Sequence, residues 1–276
     1  MDNERSVAAH YAHGALEEAI LGGLQAAGKD LAHLVPADLS PVDEFHMGGR
    51  QATEDVAAQL DLKPGMRLID IGCGLGGASR YFAETHGCQV SGVDLTEEYV
   101  ATARALAALV GLQGKVSYEQ ASALALPFDD AAFDGGYMFH VGMNIADKPA
   151  LFAEIRRVLK PGAVFAVYDV MAEPGEGEVA YPVAWASSPA TSFLADAAGY
   201  RRALENAGFA VDATRSRRAF ALEFFKAMRA RMAANGPPPL GLHIVMGADA
   251  GVKSANMAAN LERGVIAPTE IFARAV

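Results

Sequence analysis

The sequence predicts an α/β fold built on a doubly wound parallel sheet. From Lys63 onward, short apolar runs alternate with segments of helical pattern, as in strands joined by crossover helices. The first of these runs, residues 68–71, leads directly into a glycine-rich turn over residues 72–77. In doubly wound sheets such a turn lies at the carboxyl end of the first strand, where ligands bind. We therefore expect the functional site at that edge of the sheet.

The residues before this sheet carry a helical pattern. Apolar residues recur at helical spacing over 16–24 and again over 56–60. Prolines and glycines within 36–49 interrupt the pattern, so a loop is expected between the two helices. Within it, residues 46–50 are expected to form a gate over the site, with an ordinary turn between the two helices as the alternative. These features predict an N-terminal helical cap at residues 1–62 and a core at residues 63–276.

Strands and helices of the core follow from the same reading of the pattern. Strands are predicted at residues 66–71, 89–94, 116–120, 133–138, 163–169, 209–216 and 268–275. Helices are predicted at residues 77–85, 96–110, 148–159, 219–234 and 252–263, and one more is predicted from about 191 or 197 to 207. A lid insertion is expected over about 172–192, where a loop-like stretch carries the chain's single tryptophan, and a helical insertion over about 219–264.

Composition limits the compartment and the partners. Lys and Arg total 23 against 33 for Asp and Glu, a net charge of −10, which disfavours a nucleic-acid partner. The N-terminus is polar and no apolar stretch reaches membrane-spanning length, so no membrane partner is expected. The two cysteines, Cys73 and Cys88, provide neither a disulfide framework nor a metal site. We expect a soluble cytoplasmic protein without a bound metal.

The glycine turn and the acid before it indicate the class of ligand. Glycines 72, 74 and 77 fit the spacing of dinucleotide-binding turns, which would make the protein an NAD(P)-dependent oxidoreductase. Asp70, however, would repel a pyrophosphate and attract a ligand with cationic groups. S-adenosylmethionine is such a ligand, since it joins adenosine to a sulfonium and an amino-acid group.

Further polar residues follow the later strands. Asp94 ends the second strand and lies where nucleoside-binding α/β folds place the acid that accepts hydrogen bonds from ribose hydroxyls. The fourth strand runs into His140. The ends of these strands meet at one edge of the sheet, so the two residues are expected in one cleft.

Four motifs in order carry a family resemblance: Ile69 to Gly77, Gly92-Val93-Asp94-Leu95, Leu126-Pro127-Phe128 through Asp134, and Val158 to Gly162. With them the chain resembles class I S-adenosylmethionine-dependent methyltransferases, in the small-molecule branch that includes ubiquinone-biosynthesis and sarcosine/dimethylglycine enzymes. The resemblance is strong over about residues 60–171 and weaker elsewhere. It implies a seven-stranded Rossmann-like sheet with an antiparallel last strand.

The resemblance also implies roles for individual residues. Gly72, Gly74 and Gly76 would surround the amino-acid end of the cofactor, with Asp70 orienting it and Asp94 holding the ribose. The residues implied at the adenine are Leu95 and Thr96 on its flanks, Ser122 where the family often has an acid, and Ala123 through its amide. Cys73 and Phe139 complete the predicted cofactor site. The family's usual His-x-Pro-Asp-Lys is replaced here by residues 144–148, which begin with asparagine.

Two residues are candidate catalytic bases. His140 follows the fourth strand, and an imidazole with an ordinary pKa near 6.5 suits proton removal at neutral pH. Asp169, predicted to end the fifth strand, is the second candidate. The alternatives are that His140 only positions ligands and that Asp169 is structural. A base is needed for a hydroxyl or activated carbon acceptor and not for a neutral amine.

The acceptor itself stays open at this point. The predicted reaction is in-line displacement of a methyl group onto the N, O or C atom of a small molecule. A non-catalytic S-adenosylhomocysteine- or nucleoside-binding protein would need the same cofactor residues and is retained as an alternative. A homodimer is compatible with the sequence.

Overall fold

A computed structural model describes residues 2–12 and 14–276. Its centre is a seven-stranded sheet in the order β3-β2-β1-β4-β5-β7-β6. The strands are β1 (Arg67–Ile71), β2 (Gln89–Asp94), β3 (Val116–Gln120), β4 (Phe133–Phe139), β5 (Leu159–Ala172), β6 (Phe209–Ser216) and β7 (Ile266–Ala275). Strands β1 to β5 pair in parallel, whereas β7 is antiparallel to both β5 and β6. The predicted fold class, including the antiparallel last strand, is confirmed.

Helices cover both faces of the sheet and extend beyond it. They are α1 (Asp2–Tyr11), α2 (Leu16–Ala26), α3 (Pro36–Asp43), α4 (Gly49–Ala57), α5 (Gly77–Thr85), α6 (Glu97–Leu109), α7 (Lys148–Val158), α8 (Ala197–Asn206), α9 (Arg218–Asn235), α10 (His243–Met246) and α11 (Ala250–Glu262). Among the described helices, none combines the length and the apolar character needed to cross a bilayer.

The alternation of side chains along β1 separates two apolar layers. Leu68 packs in a cluster with residues of α5 and α6, where Phe82 stacks on Tyr137 of β4 with ring centroids 4.4 Å apart. Ile69 and Ile71 point to the opposite face and pack with residues of α7 and α8. Apolar side chains on both faces of one strand are the pattern of a parallel sheet buried between helices.

Strand order creates the crevice that the sequence predicts. β1 lies between β2 and β4, and the chain leaves β1 toward one side of the sheet and returns to the other. Asp70 is in register with Gly92 of β2 and with Tyr137 of β4. The loops after these three strands therefore diverge at the same edge, and a ligand can lie between them.

Several elements differ from the prediction, α3 and β5 among them, and the short helix α10 was not predicted. The expected loop at 36–49 contains helix α3, because Pro36 occupies the first turn, where a helix tolerates proline, and Leu39 and Val42 are fully buried beneath it. β5 begins at Leu159 rather than at residue 163, with an irregular register between Phe133 and Gly135 opposite it. The division into a cap, a core and two insertions stays a prediction.

Candidate active site

A cavity of about 350 Å³ opens at the carboxyl ends of β1 to β4. The strand-end loops supply one wall, through residues 70, 72–75, 93–96, 121–124, 139–141 and 143–147. The opposite wall comes from α1, from residues 43–46 and from Ala184, Trp185, Val245 and Met257. The predicted lid segment and the N-terminal helix thus face the strand ends across one enclosed space.

The glycine turn forms the floor of this cavity. Gly72 and Gly74 have φ angles of +68° and +53°, in the left-handed region that favours glycine. No heavy atom lies within 4 Å of where a Cβ of Gly74 would stand, so ligand atoms can approach its backbone. Gly76 is outside the cavity wall: it precedes α5, and a Cβ there would meet the Tyr118 hydroxyl at 2.3 Å. The backbone of Gly76 thus packs against Tyr118, and its implied role at the cofactor stays a prediction.

Asp70 is buried at the base of the turn, with 3% of its surface exposed. The Ser79 hydroxyl donates a hydrogen bond of 2.6 Å to its Oδ2. Burial raises the pKa of Asp70 to about 7, and the bond from Ser79 offsets only part of that effect. A nearby cationic group would favour the charged form, so this carboxyl is suited to a ligand that brings one.

Asp94 lies on the next strand and is held by backbone amides. The amides of Gly74 and Thr96 donate to its two carboxylate oxygens, each over 2.9 Å. Burial raises its pKa, and these two bonds act in the opposite direction. Each oxygen keeps further acceptor capacity toward the cavity, which can receive hydroxyl groups. Leu95 lines the adjoining wall.

Ser122 and Ala123 line the cavity beyond Asp94, and their contact with adenine stays a prediction. The Ser122 hydroxyl donates to the carboxylate of Glu4 on α1 and accepts from the amide of Leu124. Glu4 was not among the sequence-derived candidates, because nothing in the N-terminal pattern indicates that α1 reaches the end of β3.

His140 lines the cavity at the end of β4. Its φ of +54° is unusual for a residue with a side chain, and its amide donates to the Tyr168 carbonyl over 2.8 Å. Burial, with a smaller effect from His46, holds the imidazole pKa well below its usual value. The ring centroids of His140 and His46 are 5.9 Å apart. Its Nε2 is buried and has no hydrogen-bond partner within the part of the chain that the structure describes.

Asp169, the second predicted base, does not line this cavity. β5 continues to Ala172, so Asp169 lies within the strand and not at its end. It is fully buried, and its Oδ2 accepts from the Tyr200 hydroxyl over 2.7 Å. A Cβ on Gly142 would stand 2.4 Å from that same oxygen. The backbone of Gly142 thus packs against the carboxylate, whose geometry is that of a structural acid.

Asn144 joins three elements around the cavity. Its Oδ1 accepts from the Tyr11 hydroxyl of α1, and its Nδ2 donates to the carbonyls of Trp185 and Thr191, each over 2.9 Å. A histidine, with its two ring nitrogens, could not make these three contacts in the same way. Asn144, which replaces the histidine of the family motif, thus connects α1 to the predicted lid segment through hydrogen bonds.

Two further acids face the cavity from its cap side, and sequence reasoning missed both. Asp43 accepts from the guanidinium of Arg80 over 2.5 Å, and Arg80 is fully buried. Glu44 accepts from Arg50 and from Thr53. The guanidinium groups of Arg80 and Arg50 are thereby paired with carboxylates behind the cavity wall.

Comparison with known proteins identifies the central part of the chain. A family model described as a methyltransferase domain matches residues 69–167. These residues are a methyltransferase domain. The resemblance inferred from the motifs is confirmed by this match, which spans β1 to β5 and contains Asp70, Asp94 and His140.

The chain is also similar to individual methyltransferases of known name. The O-methyltransferase resE of Aspergillus sclerotiorum is 34% identical over 48% of this chain and 50% of its own length. Phosphoethanolamine N-methyltransferase 1 of Zea mays is 33% identical over 59% of this chain and 32% of its own. Geranyl diphosphate C-methyltransferase of Streptomyces coelicolor A3(2) has a similar fold, with a TM-score of 0.71 and 18% identity over 100% of this chain and 98% of that one. The chain spans half the length or less of the curated relatives just named.

The cavity combines groups that can bind a ligand with a group that can accept a proton. A glycine floor and two carboxyls occupy one end of the cavity, and a neutral histidine lies beside an apolar wall. Among residues 2–12 and 14–276, no group of three or more His, Cys, Asp or Glu is arranged to hold a metal ion.

Proposed function

We propose that this protein transfers a methyl group from S-adenosylmethionine to a hydroxyl group of an uncharged, largely apolar small molecule. The observation that carries the proposal is the placement of Asp70 and Asp94 in the same cavity as the neutral His140. A nucleoside with a cationic amino-acid group fits the first two residues, and an acceptor fits the space beside the third.

The residues at the glycine floor fit this cofactor. The open backbone at Gly74 admits the amino-acid end, Asp70 receives its ammonium group, and Asp94 accepts the ribose hydroxyls. When bound, S-adenosylmethionine supplies an electrophilic methyl group on a sulfonium. The protein's own contribution is to align the acceptor with that methyl group and to exclude water.

The acceptor end favours an uncharged molecule. Phe45, Met143, Trp185 and Met257 give this part of the wall its apolar character. The cavity-lining residues that carry charge are acidic, with Glu4 and Asp94 among them, which would repel a phosphorylated acceptor. Arg50 and Arg80 are paired with Glu44 and Asp43 and are not turned to the cavity.

His140 is the base that a hydroxyl acceptor requires. Its depressed pKa keeps the imidazole neutral at physiological pH, so a ring nitrogen can accept the hydroxyl proton as the oxygen attacks the methyl group. His46 and Tyr168, whose rings surround it, hold the imidazole in place. Asp169 supports the same region by fixing the backbone of Gly142.

The test is a methyl-transfer assay with a panel of uncharged phenols and alcohols, read by release of S-adenosylhomocysteine and by product mass. We expect a product that is heavier by one methyl group. His140→Asn, which tolerates the positive φ, should lower kcat by about 10²-fold or more and leave the affinity for S-adenosylhomocysteine within about twofold. Tight S-adenosylhomocysteine binding without turnover of any panel member would favour the non-catalytic alternative.

Matched pairs test the charge of the acceptor. Geraniol and geranyl diphosphate, and ethanolamine and phosphoethanolamine, differ by the phosphate groups that the compared proteins' substrates carry. With S-adenosylhomocysteine saturating, the phosphorylated member of each pair should bind more weakly than its partner. Tighter binding of either phosphorylated compound would overturn the acceptor assignment and leave the cofactor assignment intact.

The remaining proposals concern the cellular compartment, nucleic-acid binding and the oligomeric state. We propose a cytoplasmic protein without a nucleic-acid partner, on the basis of the net charge of −10 and two buried free cysteines. A homodimer is compatible with the sequence, and sedimentation of the purified protein would measure its mass directly.

A further inference from the structure

The N-terminal helix α1 brings a carboxylate into the end of the cavity where the nucleoside of the proposed cofactor would bind. Glu4 lines the same space as Leu95, Ser122 and Leu124. It approaches from outside the methyltransferase domain, which begins at residue 69. Its contact with Ser122 connects positions that are 118 residues apart in sequence.

Ser122 has little hydrogen-bonding capacity left for a ligand. Its single hydroxyl proton is donated to Oε1 of Glu4, and its oxygen accepts from the amide of Leu124 over 3.1 Å. Glu4 differs, because a carboxylate has about four acceptor positions. Its Oε2 is not engaged by any residue in the described ranges 2–12 and 14–276.

The surroundings of Glu4 define the ligand group that would fit it. Beyond Asp94 the wall includes the apolar side chains of Leu95, Ala123 and Leu124, beside the polar Thr96 and Ser122. A flat heteroaromatic ring suits such a wall, and a carboxylate at its end accepts from an exocyclic amino group. The same carboxylate repels a ring carbonyl, which presents lone pairs and no proton.

We propose that Glu4 recognises the adenine amino group of the cofactor and makes the site selective for aminopurine over oxopurine nucleosides. This inference rests on the proposed cofactor. Because Glu4 belongs to α1, it also implies that adenine binding stabilises α1 in its docked position, and that docking of α1 strengthens binding in return.

The discriminating experiment compares S-adenosylhomocysteine with S-inosylhomocysteine, in which a carbonyl replaces the adenine amino group. Calorimetry with the full chain should give the wild type at least about a tenfold preference for S-adenosylhomocysteine. Glu4→Gln should weaken S-adenosylhomocysteine binding by about tenfold and reduce the preference to within about threefold, since a glutamine amide can donate to the carbonyl. Glu18→Gln, the same change at an exposed position of α2, should alter neither value.

The outcomes separate this inference from the proposed function. If wild-type protein binds neither compound, the cofactor assignment itself fails. If it binds S-adenosylhomocysteine but Glu4→Gln weakens both compounds equally or has no effect, Glu4 only docks α1 and the inference is overturned. Loss of selectivity in Glu4→Gln together with an unchanged Glu18→Gln supports recognition of the amino group.

Discussion

At the scale of single residues, the two carboxyls of the cavity differ in how the protein prepares them. Asp94 is oriented by two backbone amides, whereas Asp70 accepts from a hydroxyl and its pKa is raised by burial. The first is suited to accept hydroxyl groups while ionised. Asp70 becomes ionised when a cationic group binds beside it. The two residues therefore lead to separate predictions.

Asp94→Asn should weaken S-adenosylhomocysteine binding by about 1–3 kcal/mol, because charged hydrogen bonds to ribose hydroxyls are replaced by neutral ones. Calorimetric titration measures the change. The variant keeps an oxygen for one of the amides of Gly74 and Thr96, so the melting temperature serves as the control for folding. Unchanged affinity would remove the ribose assignment.

Binding of S-adenosylhomocysteine should strengthen as the pH rises through about 7. The pKa of Asp70 is raised to about 7 in the free protein, so the ligand's ammonium group must displace a proton below that pH. Affinity should be about tenfold weaker at pH 6 than at pH 8. Titrations in buffers of different ionisation enthalpy would detect the released proton.

The variant Asp70→Asn supplies the control for this pH dependence. It cannot ionise, so its affinity should be lower than that of the wild type at pH 8 and should change less between the two pH values. An equal pH dependence in the variant would assign the effect to another group, such as Asp94, whose pKa burial also raises.

At the scale of elements, helices α3 and α5 are joined through a buried ion pair. Arg80 is fully buried and donates to Asp43 over 2.5 Å, and burial raises the pKa of Asp43 while Arg80 lowers it. Because a lone buried carboxylate is costly, the pair ties α3, one wall of the cavity, to the helix after the glycine turn.

Arg80→Met should lower the free energy of unfolding by about 3–5 kcal/mol, measured by urea denaturation, because it leaves Asp43 buried without its cation. Adding Asp43→Leu should recover much of the loss. Lys63→Met serves as the matched control, since its pair with Asp61 is 71% and 88% exposed, and it should change stability by no more than about 0.5 kcal/mol. Equal losses from Arg80→Met and Lys63→Met would contradict this account.

The elements also indicate what sequence could and could not predict. Strands β2 and β3 begin and end where the periodicity places them, because their apolar residues and flanking turns are local signals. Helix α3 was missed because Pro36 and Pro41 indicate a loop, and its stability depends on burial of Leu39 and Val42. Local pattern carries no information about such tertiary contacts.

At the scale of the whole molecule, the site too was predictable where it depends on strand order and not where it depends on tertiary contacts between distant segments. The residues on strand ends, such as Asp70 and Asp94, were predicted because topology alone brings them to one edge. Glu4 and Asp43 were not predicted as site residues, because they reach the cavity from α1 and α3, and no sequence motif indicates how these helices dock. Asp169 was placed at the cleft because β5 was expected to end three residues earlier than it does.

Helix α1 and the loops at the strand ends therefore line one cavity. α1 contacts the strand-end loops through Glu4 and Tyr11, and it contacts the lid segment through His10, whose Nε2 is 3.0 Å from the Ala184 carbonyl. The cavity is closed by elements from both ends of the chain. Ligand binding should accordingly stabilise the whole fold.

The most direct test of the central claim is calorimetric titration of the purified protein with S-adenosylhomocysteine and, separately, with NAD and NADP. The account predicts one binding site with a Kd in the micromolar range for S-adenosylhomocysteine and no heat of binding for either dinucleotide. Binding of a nicotinamide dinucleotide without binding of S-adenosylhomocysteine would contradict it, and would mean that the glycine turn receives a pyrophosphate despite Asp70.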